Sequence, residues 1–251
     1  MTSLHIVSDI HVEDGTKIQT VICPDPDGIL ILAGDLTRVF SGTSLFVDSL
    51  MDICSKFNKV IFIPGNHEYY CIRGKESMGN IFLTIKSLTR SIKNLIVLDN
   101  ESYTIGDTVI FGSTFWSYTP EFWRKIPIYV GMKGDERLIT NREYNELHLK
   151  SLIALEKAIK YTEEQNKKMV VVTHYPPSDR GTVDPKYKDS PDRMMYYSHN
   201  DHILENKVIL RWIFGHTGYN TNYERREGIH KKLLTNQAIE KEFRNPLIMI
   251  I

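Results

Sequence analysis

Five short apolar runs, each ending in residues able to bind a metal or a phosphate, constrain this chain more than any other feature. Leu4-His5-Ile6-Val7 runs into Ser8-Asp9-Ile10-His11, and Ile29 to Ala33 into Gly34-Asp35. Val60 to Ile63 leads to Pro64-Gly65-Asn66-His67-Glu68, Met169 to Val172 to Thr173-His174, and Ile209 to Phe214 to Gly215-His216. Short Ile- and Val-rich runs of this kind read as strands buried on both faces. Three helical stretches separate them. Ser44 to Phe57 places Leu45, Phe46, Leu50, Met51 and Ile53 on one stripe, and Ile81 to Ile92 does so with Ile81, Ile85, Leu88 and Ile92. Arg142 to Gln165 carries Leu147, Leu149, Leu152, Leu155, Ala158 and Ile159. Leu95 to Leu98 and Val109 to Ser113 read as further strands, joined through Asn100 and a Gly106-Asp107 turn; Lys231 to Leu234 and Leu247 to Ile251 close the fold. The expectation is an α/β (α+β) layered architecture with buried sheets. No repeat or Gly/Ser linker divides the 251 residues, so a single domain over 1–251 is expected.

Charge narrows the function classes. Thirty-one Lys and Arg balance 31 Asp and Glu, without the basic excess of a non-specific nucleic-acid or membrane-surface binder. An apolar content of 41% excludes wholesale disorder. The cysteines, Cys23, Cys54 and Cys71, are odd in number and form no C-x-x-C pair, so neither a disulfide framework nor a zinc ribbon is indicated. The opening MTSLHIVSDIHVEDG has no secretory pattern, and no apolar run approaches the roughly 20 residues that span a bilayer. An intracellular, cytoplasmic protein is the expectation. Nothing signals an oligomeric state.

In layered α/β folds the carboxyl ends of the strands form the ligand crevice. Asp9, His11, Asp35, Asn66, His67, His174 and His216 therefore converge if the strands pack side by side. Imidazole and carboxylate without thiolate suit zinc, manganese or iron. The set exceeds the needs of one four-coordinate ion, which points to two. A pair of ions needs a bridging carboxylate to clamp both oxygens of a phosphoryl displacement. Asp35 is the choice for that bridge, because a Gly-Asp turn allows close approach of backbone and carboxylate. Gly65 serves Asn66 in the same way.

In these residues the chain resembles the calcineurin-like metallophosphoesterases, whose pattern is D-x-H, G-D-x-x-D, G-N-H-D/E, a lone H, and G-H-x-H. Here the elements are Asp9-Ile10-His11, Gly34-Asp35-Leu36-Thr37-Arg38, Gly65-Asn66-His67-Glu68, His174 and Gly215-His216-Thr217-Gly218, in the family order. With GNHEYY at Gly65 to Tyr70, the chain looks closest to the small bacterial-type members. The resemblance implies a two-layer β-sandwich flanked by helices, with a site for two divalent ions (Mn, Fe or Zn) at one edge. It assigns Asp9 and His11 to the first metal, Asp35 to the bridge, and Asn66, His174 and His216 to the second metal. His67 would bind no metal but polarise the phosphate or protonate the leaving oxygen. The implied reaction is hydrolysis of a phosphomonoester or phosphodiester by attack of a metal-bound hydroxide, with the phosphate ester as partner.

Arg38 and Gly218 depart from the pattern. Arg38 replaces an acid that is usually structural. Gly218 replaces the last His of G-H-x-H, a first-metal ligand in the family, so a weakened first site is expected. Asn220, Asn222, His199 and His202 are open substitutes. The alternative reading is a degenerate member acting as a binding or scaffold module, although the other ligand positions and His67 all match. Glu68 either supports a neighbouring ligand or lies on the surface. His5 is read as packed, His148 as solvent-facing, and His230, with Arg225, Arg226, Lys231 and Lys232, as part of a solvated face. Cys71 is read as structural. Two long segments either cap the site or cover the sheet edge: Trp116 to Ile139, with Tyr118, Phe122, Trp123 and Tyr129, and Tyr175 to Asn206, with Tyr187, Tyr196 and Tyr197.

Overall fold

Two five-stranded sheets, stacked face to face, account for the apolar runs in the computed structural model, which describes residues 2–71, 76–122, 125–220, 228–238 and 247–251. Trp123, Asn222, Arg225 and Arg226 lie outside the described residues. In chain order the first half contains β1 (Ser3–Val7), α1 (Ile18–Val21), β2 (Asp25–Leu32), α2 (Thr43–Cys54), β3 (Phe57–Phe62), α3 (Asn66–Tyr69), α4 (Met78–Thr89) and β4 (Leu95–Val97). Then follow β5 (Glu101–Ile105), β6 (Thr108–Ser113), the short pair β7 (Tyr129–Val130) and β8 (Arg137–Leu138), α5 (Asn141–Glu164), β9 (Lys168–Thr173), β10 (Ile209–Phe214), β11 (Leu233–Thr235) and β12 (Leu247–Ile250). The first sheet runs β12-β1-β2-β3-β4 and the second β11-β10-β9-β6-β5. Only β12 against β1 and β5 against β6 pair antiparallel within these two sheets.

Alternation along each strand explains why the runs are continuously apolar. Leu4, Ile6, Ile29, Ile31 and Ile61 of the first sheet meet Ile110, Val170, Val172 and Ile213 of the second in one buried core. The intervening residues Leu30, Leu32, Val60 and Phe62 face outward, beneath Phe46 and Leu50 of α2 and Ile81 and Ile85 of α4. On the far side, Val109, Phe111, Val171 and Trp212 pack under Leu155 and Ile159 of α5. With both faces covered, neither sheet needs a polar side. The expected two-layer β-sandwich flanked by helices is what forms.

Differences lie where amphipathic signals are mixed. β5 reads Glu-Ser-Tyr-Thr-Ile and is only partly buried, too polar to register as a strand; it is the hairpin partner of β6 through Gly106-Asp107. Lys231 and Lys232 belong to a 3-10 turn, and the strand there starts at Leu233. Leu45 and Met51 are exposed on α2, as is Leu149 on α5. The buried ridge of α5 instead runs through Tyr144, His148, Ser151, Leu155, Ile159 and Thr162. A Thr140–Glu143 capping box starts this helix, with the Glu143 amide donating to Thr140 Oγ1 and the Thr140 amide to the Glu143 carboxylate. Among the described residues, no helix is long and apolar enough to cross a membrane.

Candidate metal centre

The carboxyl ends of β1, β2, β3, β9 and β10 meet at one edge of the stacked sheets. β1, β2 and β10 are each followed by a sharp turn. Asp9, His11, Asp35 and His216 all hold φ between 50° and 73°, a left-handed conformation that side-chain-bearing residues adopt at a cost of roughly 1–3 kcal/mol each. The turns are interlocked: the Asp9 amide donates to Gly34 O, the His11 amide to Asp35 O, and the Gly215 amide to His174 O. Carboxylates are fixed by amides from neighbouring loops. His67 N donates to Asp35 Oδ1 at 2.8 Å, and His216 N to the Asp9 carboxylate at 3.0 Å. Ser8 Oγ also donates to Asp9 Oδ2, at 2.6 Å. Two glycines are required by space. A Cβ on Gly34 would collide with His174 Nδ1, and one on Gly65 would lie 2.6 Å from Asp35 N.

Asp9, His11, Asp35, Asn66, His67 and His216 line one cleft of about 290 Å³, together with Tyr70, Lys125, Ile126, Pro127 and Tyr196. His174 is fully buried beside them, its Nε2 2.9 Å from Asn66 Oδ1 and 3.3 Å from Asp35 Oδ2, its Nδ1 2.8 Å from Ala33 O. All seven sequence candidates are therefore brought together. Their donor atoms fall into groups with spacings within 4.8 Å: Asp9 with His11 and Asp35, and Asp35 with His174 and His216. Asp35 is common to both. The donor set fits divalent ions on a second ground. His216 Nε2 is buried with no hydrogen-bond partner among the described residues, a costly state for a polar atom unless something else is bound there.

The calcineurin-like phosphoesterase model matches residues 2–219. The chain belongs to this family. Over 247 residues it is 27% identical to an uncharacterized protein of Acanthamoeba polyphaga mimivirus, covering 89% of this chain and 87% of that one. Among solved structures, it is similar to a phosphopantetheinyl hydrolase from Mycobacterium tuberculosis, with a TM-score of 0.59, 17% identity, and coverage of 86% of this chain and 83% of that one. It is also similar to a putative 5'-nucleotidase from Staphylococcus aureus, with a TM-score of 0.51, 15% identity, and coverage of 96% of this chain but 49% of that one.

Against the family pattern, position 218 stays empty of a donor. Gly218 has φ +60° and a Cβ there would meet none of the described residues within 4 Å, while its amide donates to Gln237 Oε1 at 2.7 Å. Asn220 is committed to the Gln237 backbone through bonds of 2.7 and 2.9 Å. His199 and His202 are exposed and join none of the donor groups found among the described residues. Glu68 is not on the surface. Its fully buried carboxylate accepts from the amides of Gly65, Asp35, Leu36 and Thr37, tying the Asp35 loop to the Asn66 loop. Glu68→Ala should lose at least about 4 kcal/mol of stability, since each of the four amides left unpaired costs about 1–3 kcal/mol. A lowered urea midpoint would show it, with Glu68→Gln losing less.

The protonation states follow from this crowding. Burial disfavours a charged His11, but the hydrogen bond to Glu13 and the charges of Asp35 and Asp9 overcome it and raise its pKa to about 9. Burial likewise opposes a charged His174, and Asp35 more than offsets it, again to about 9. His216 goes the other way, held well below its usual value by burial and by the charge on His174. Burial raises Asp9; Asp35 stays below the ordinary carboxylate range because the His174 and His67 charges outweigh its burial. Both raised histidines must shed a proton to ligate an ion. Metal affinity should thus rise with pH up to about 9, roughly tenfold per pH unit for each proton displaced. Calorimetric titration at several pH values checks this; an affinity independent of pH would contradict it.

Two histidines were misjudged from sequence. His148 is buried, not solvent-facing, with Nδ1 2.6 Å from Trp116 O; charged residues around it in the chain mask its place on the inward ridge of α5. His230 is not simply solvated, since its largely covered ring sits 2.7 Å from Asp201 Oδ1. His5 is packed as expected, 2.6 Å from Asp25 Oδ2 and edge-on to Phe57, and Cys71 is buried. The long segments do both things asked of them. Trp116, Ile126, Ile128 and Ile139 join the core under α2 and α4, while Lys125, Pro127 and Tyr196 line the cleft. Glu13 is the residue that sequence reasoning missed: its Oε1 lies 3.1 Å from His67 Nδ1 and 3.6 Å from His11 Nδ1.

Proposed function

We propose that the chain, folded as one domain, is a divalent-metal-dependent phosphoesterase that hydrolyses a phosphomonoester or phosphodiester by direct attack of water. The observation that carries this reading is the Asp35 carboxylate shared between two donor groups at the floor of an open cleft. Asp9 and His11, with Asp35, would hold one ion; Asn66, His174 and His216, again with Asp35, would hold the other. Bound there, manganese, iron or zinc would lower the pKa of coordinated water and neutralise charge on the phosphate. The protein's own groups do the rest. The amides of His67 and His216 fix the two carboxylates, so that little reorganisation is needed as charge develops. His67 lines the cleft and would polarise the phosphate or hand a proton to the leaving oxygen.

The site containing Asp9 and His11 is expected to be the weaker, because Gly218 offers no side chain. Three protein donors plus water still make a workable catalytic site. The test is hydrolysis of an aryl phosphomonoester and the matching diester by purified protein, with manganese and with chelator. Manganese-dependent turnover of either ester supports the reading, and the preferred ester names the substrate class. No turnover of either under any metal loading would sink it and favour a binding module.

A further inference from the structure

Glu13 sits on the 3-10 turn Val12–Asp14, outside every motif, between left-handed His11 and Gly15 (φ 50° and 88°). The turn is clamped to the Asp35 loop, with His11 N donating to Asp35 O and Val12 N to Leu36 O. That clamp carries the Glu13 side chain, only 8% exposed, under the cleft, where Oε1 meets His67 Nδ1 at 3.1 Å. His67 is held on its faces as well, by His11 edge-on at 4.4 Å and by Tyr70 at 5.1 Å. With Nδ1 turned to Glu13, Nε2 is the nitrogen His67 has left for the cleft it lines.

The same carboxylate could be read as a third metal site, since His11, Glu13 and His67 form a donor group. Arg38 argues against that. Its Nε lies 3.8 Å from Glu13 Oε1, so a cation already occupies the neighbourhood and would repel another in a poorly solvated setting. Arg38, standing where the family pattern has an acid, faces Glu13.

We propose that Glu13 is the positioning residue for His67: it accepts a hydrogen bond from Nδ1–H, fixes the ring, and leaves Nε2–H to deliver a proton to the ester's leaving oxygen. The inference rests on the phosphoesterase reading above. In the step, a water oxygen forms a bond to phosphorus and releases its proton to solvent. The bond to the leaving oxygen breaks, that oxygen keeps the electron pair and takes the Nε2 proton of the doubly protonated ring, and His67 is left as the neutral Nδ1–H tautomer until solvent reprotonates Nε2. Nothing is oxidised or reduced. A carboxylate on the far nitrogen orients an imidazole and selects its tautomer.

Leaving-group dependence separates this role from a structural or ligand role. An alkyl phosphate leaves as a poor alkoxide and needs the proton; a nitrophenyl phosphate leaves readily without it. In the metal-loaded full chain, Glu13→Gln should lower kcat at least about tenfold on the alkyl ester and less than about threefold on the nitrophenyl ester. Because Glu13 also faces His11 Nδ1 at 3.6 Å, the comparison is made at saturating metal, where KM and bound metal should match the wild type; Glu13→Asp should recover part of the loss. In a His67→Asn background Glu13→Gln should add nothing, since residues acting as a unit are non-additive. Nitrogen-15 spectra recorded without metal, at a pH where the His67 ring is neutral, should show the Nδ1–H tautomer in the wild type and a mixture in Glu13→Gln. Equal loss on both esters with lost metal would make Glu13 a ligand and overturn the inference, as would wild-type kinetics or an unchanged tautomer. A wild-type chain inactive on both esters would overturn the phosphoesterase reading and the proton delivery with it, whereas an active wild type beside an indifferent Glu13→Gln overturns the inference alone.

Discussion

Asp35→Asn should lose on the order of 10³-fold or more in kcat, since on the proposed reading it removes a ligand shared by two ions and forfeits several kcal/mol of transition-state stabilisation. The fold should survive. Asn is nearly isosteric, and its amide oxygen can still accept the 2.8 Å bond from His67 N. What is lost is the negative charge facing His11 and His174 at 3.7 and 3.3 Å. Metal content should fall along with activity, while the circular dichroism spectrum and urea midpoint stay close to wild type. An Asp35→Asn protein with full turnover would remove Asp35 from the chemistry altogether.

Gly65→Ala should be nearly as damaging to activity, for a steric reason. The added methyl would strike the Asp35 carboxylate and sit 2.6 Å from Asp35 N and 2.8 Å from His174 Cε1. Neither neighbour can yield, because Asp35 is held by His67 N and Glu68, and His174 by Ala33 O and Asn66. Overpacking of this kind costs about 1–3 kcal/mol of stability, and displacing a shared metal ligand by even 1 Å costs on the order of 10²-fold in rate. Gly218→Ala is the control, as its Cβ would meet none of the described residues within 4 Å. It should leave activity within a few-fold, with only the cost of its left-handed φ. Comparable losses in the two variants would show that the crowding at Gly65 does not matter to the site.

The central strands were legible because both of their faces are buried, so Ile31, Val60, Val171 and Ile213 needed no alternation to be recognised. The polar strand β5 and the ridge of α5 were not. Glu101 to Ile105 gains its strand identity from pairing with β6, and His148 is buried by contact with Trp116 rather than by any apolar pattern. At the site, each candidate ligand follows a strand, so local order along the chain was enough to collect them. Glu13 and Gln237 belong to no such pattern. Glu13 meets His67 only because the β1 and β3 loops converge, and Gln237 holds the Gly218 amide from the loop after the neighbouring strand β11. Such contacts are made by tertiary structure and leave no periodic trace.

The most direct measurement strips the wild-type chain of metal, adds manganese back in steps, and follows bound ions and ester turnover in the same samples. The stripped protein should be inactive, and turnover should rise as manganese fills two sites of unequal affinity around Asp35. Full turnover in the metal-free protein, or two ions bound with no hydrolysis of either monoester or diester, would contradict the account.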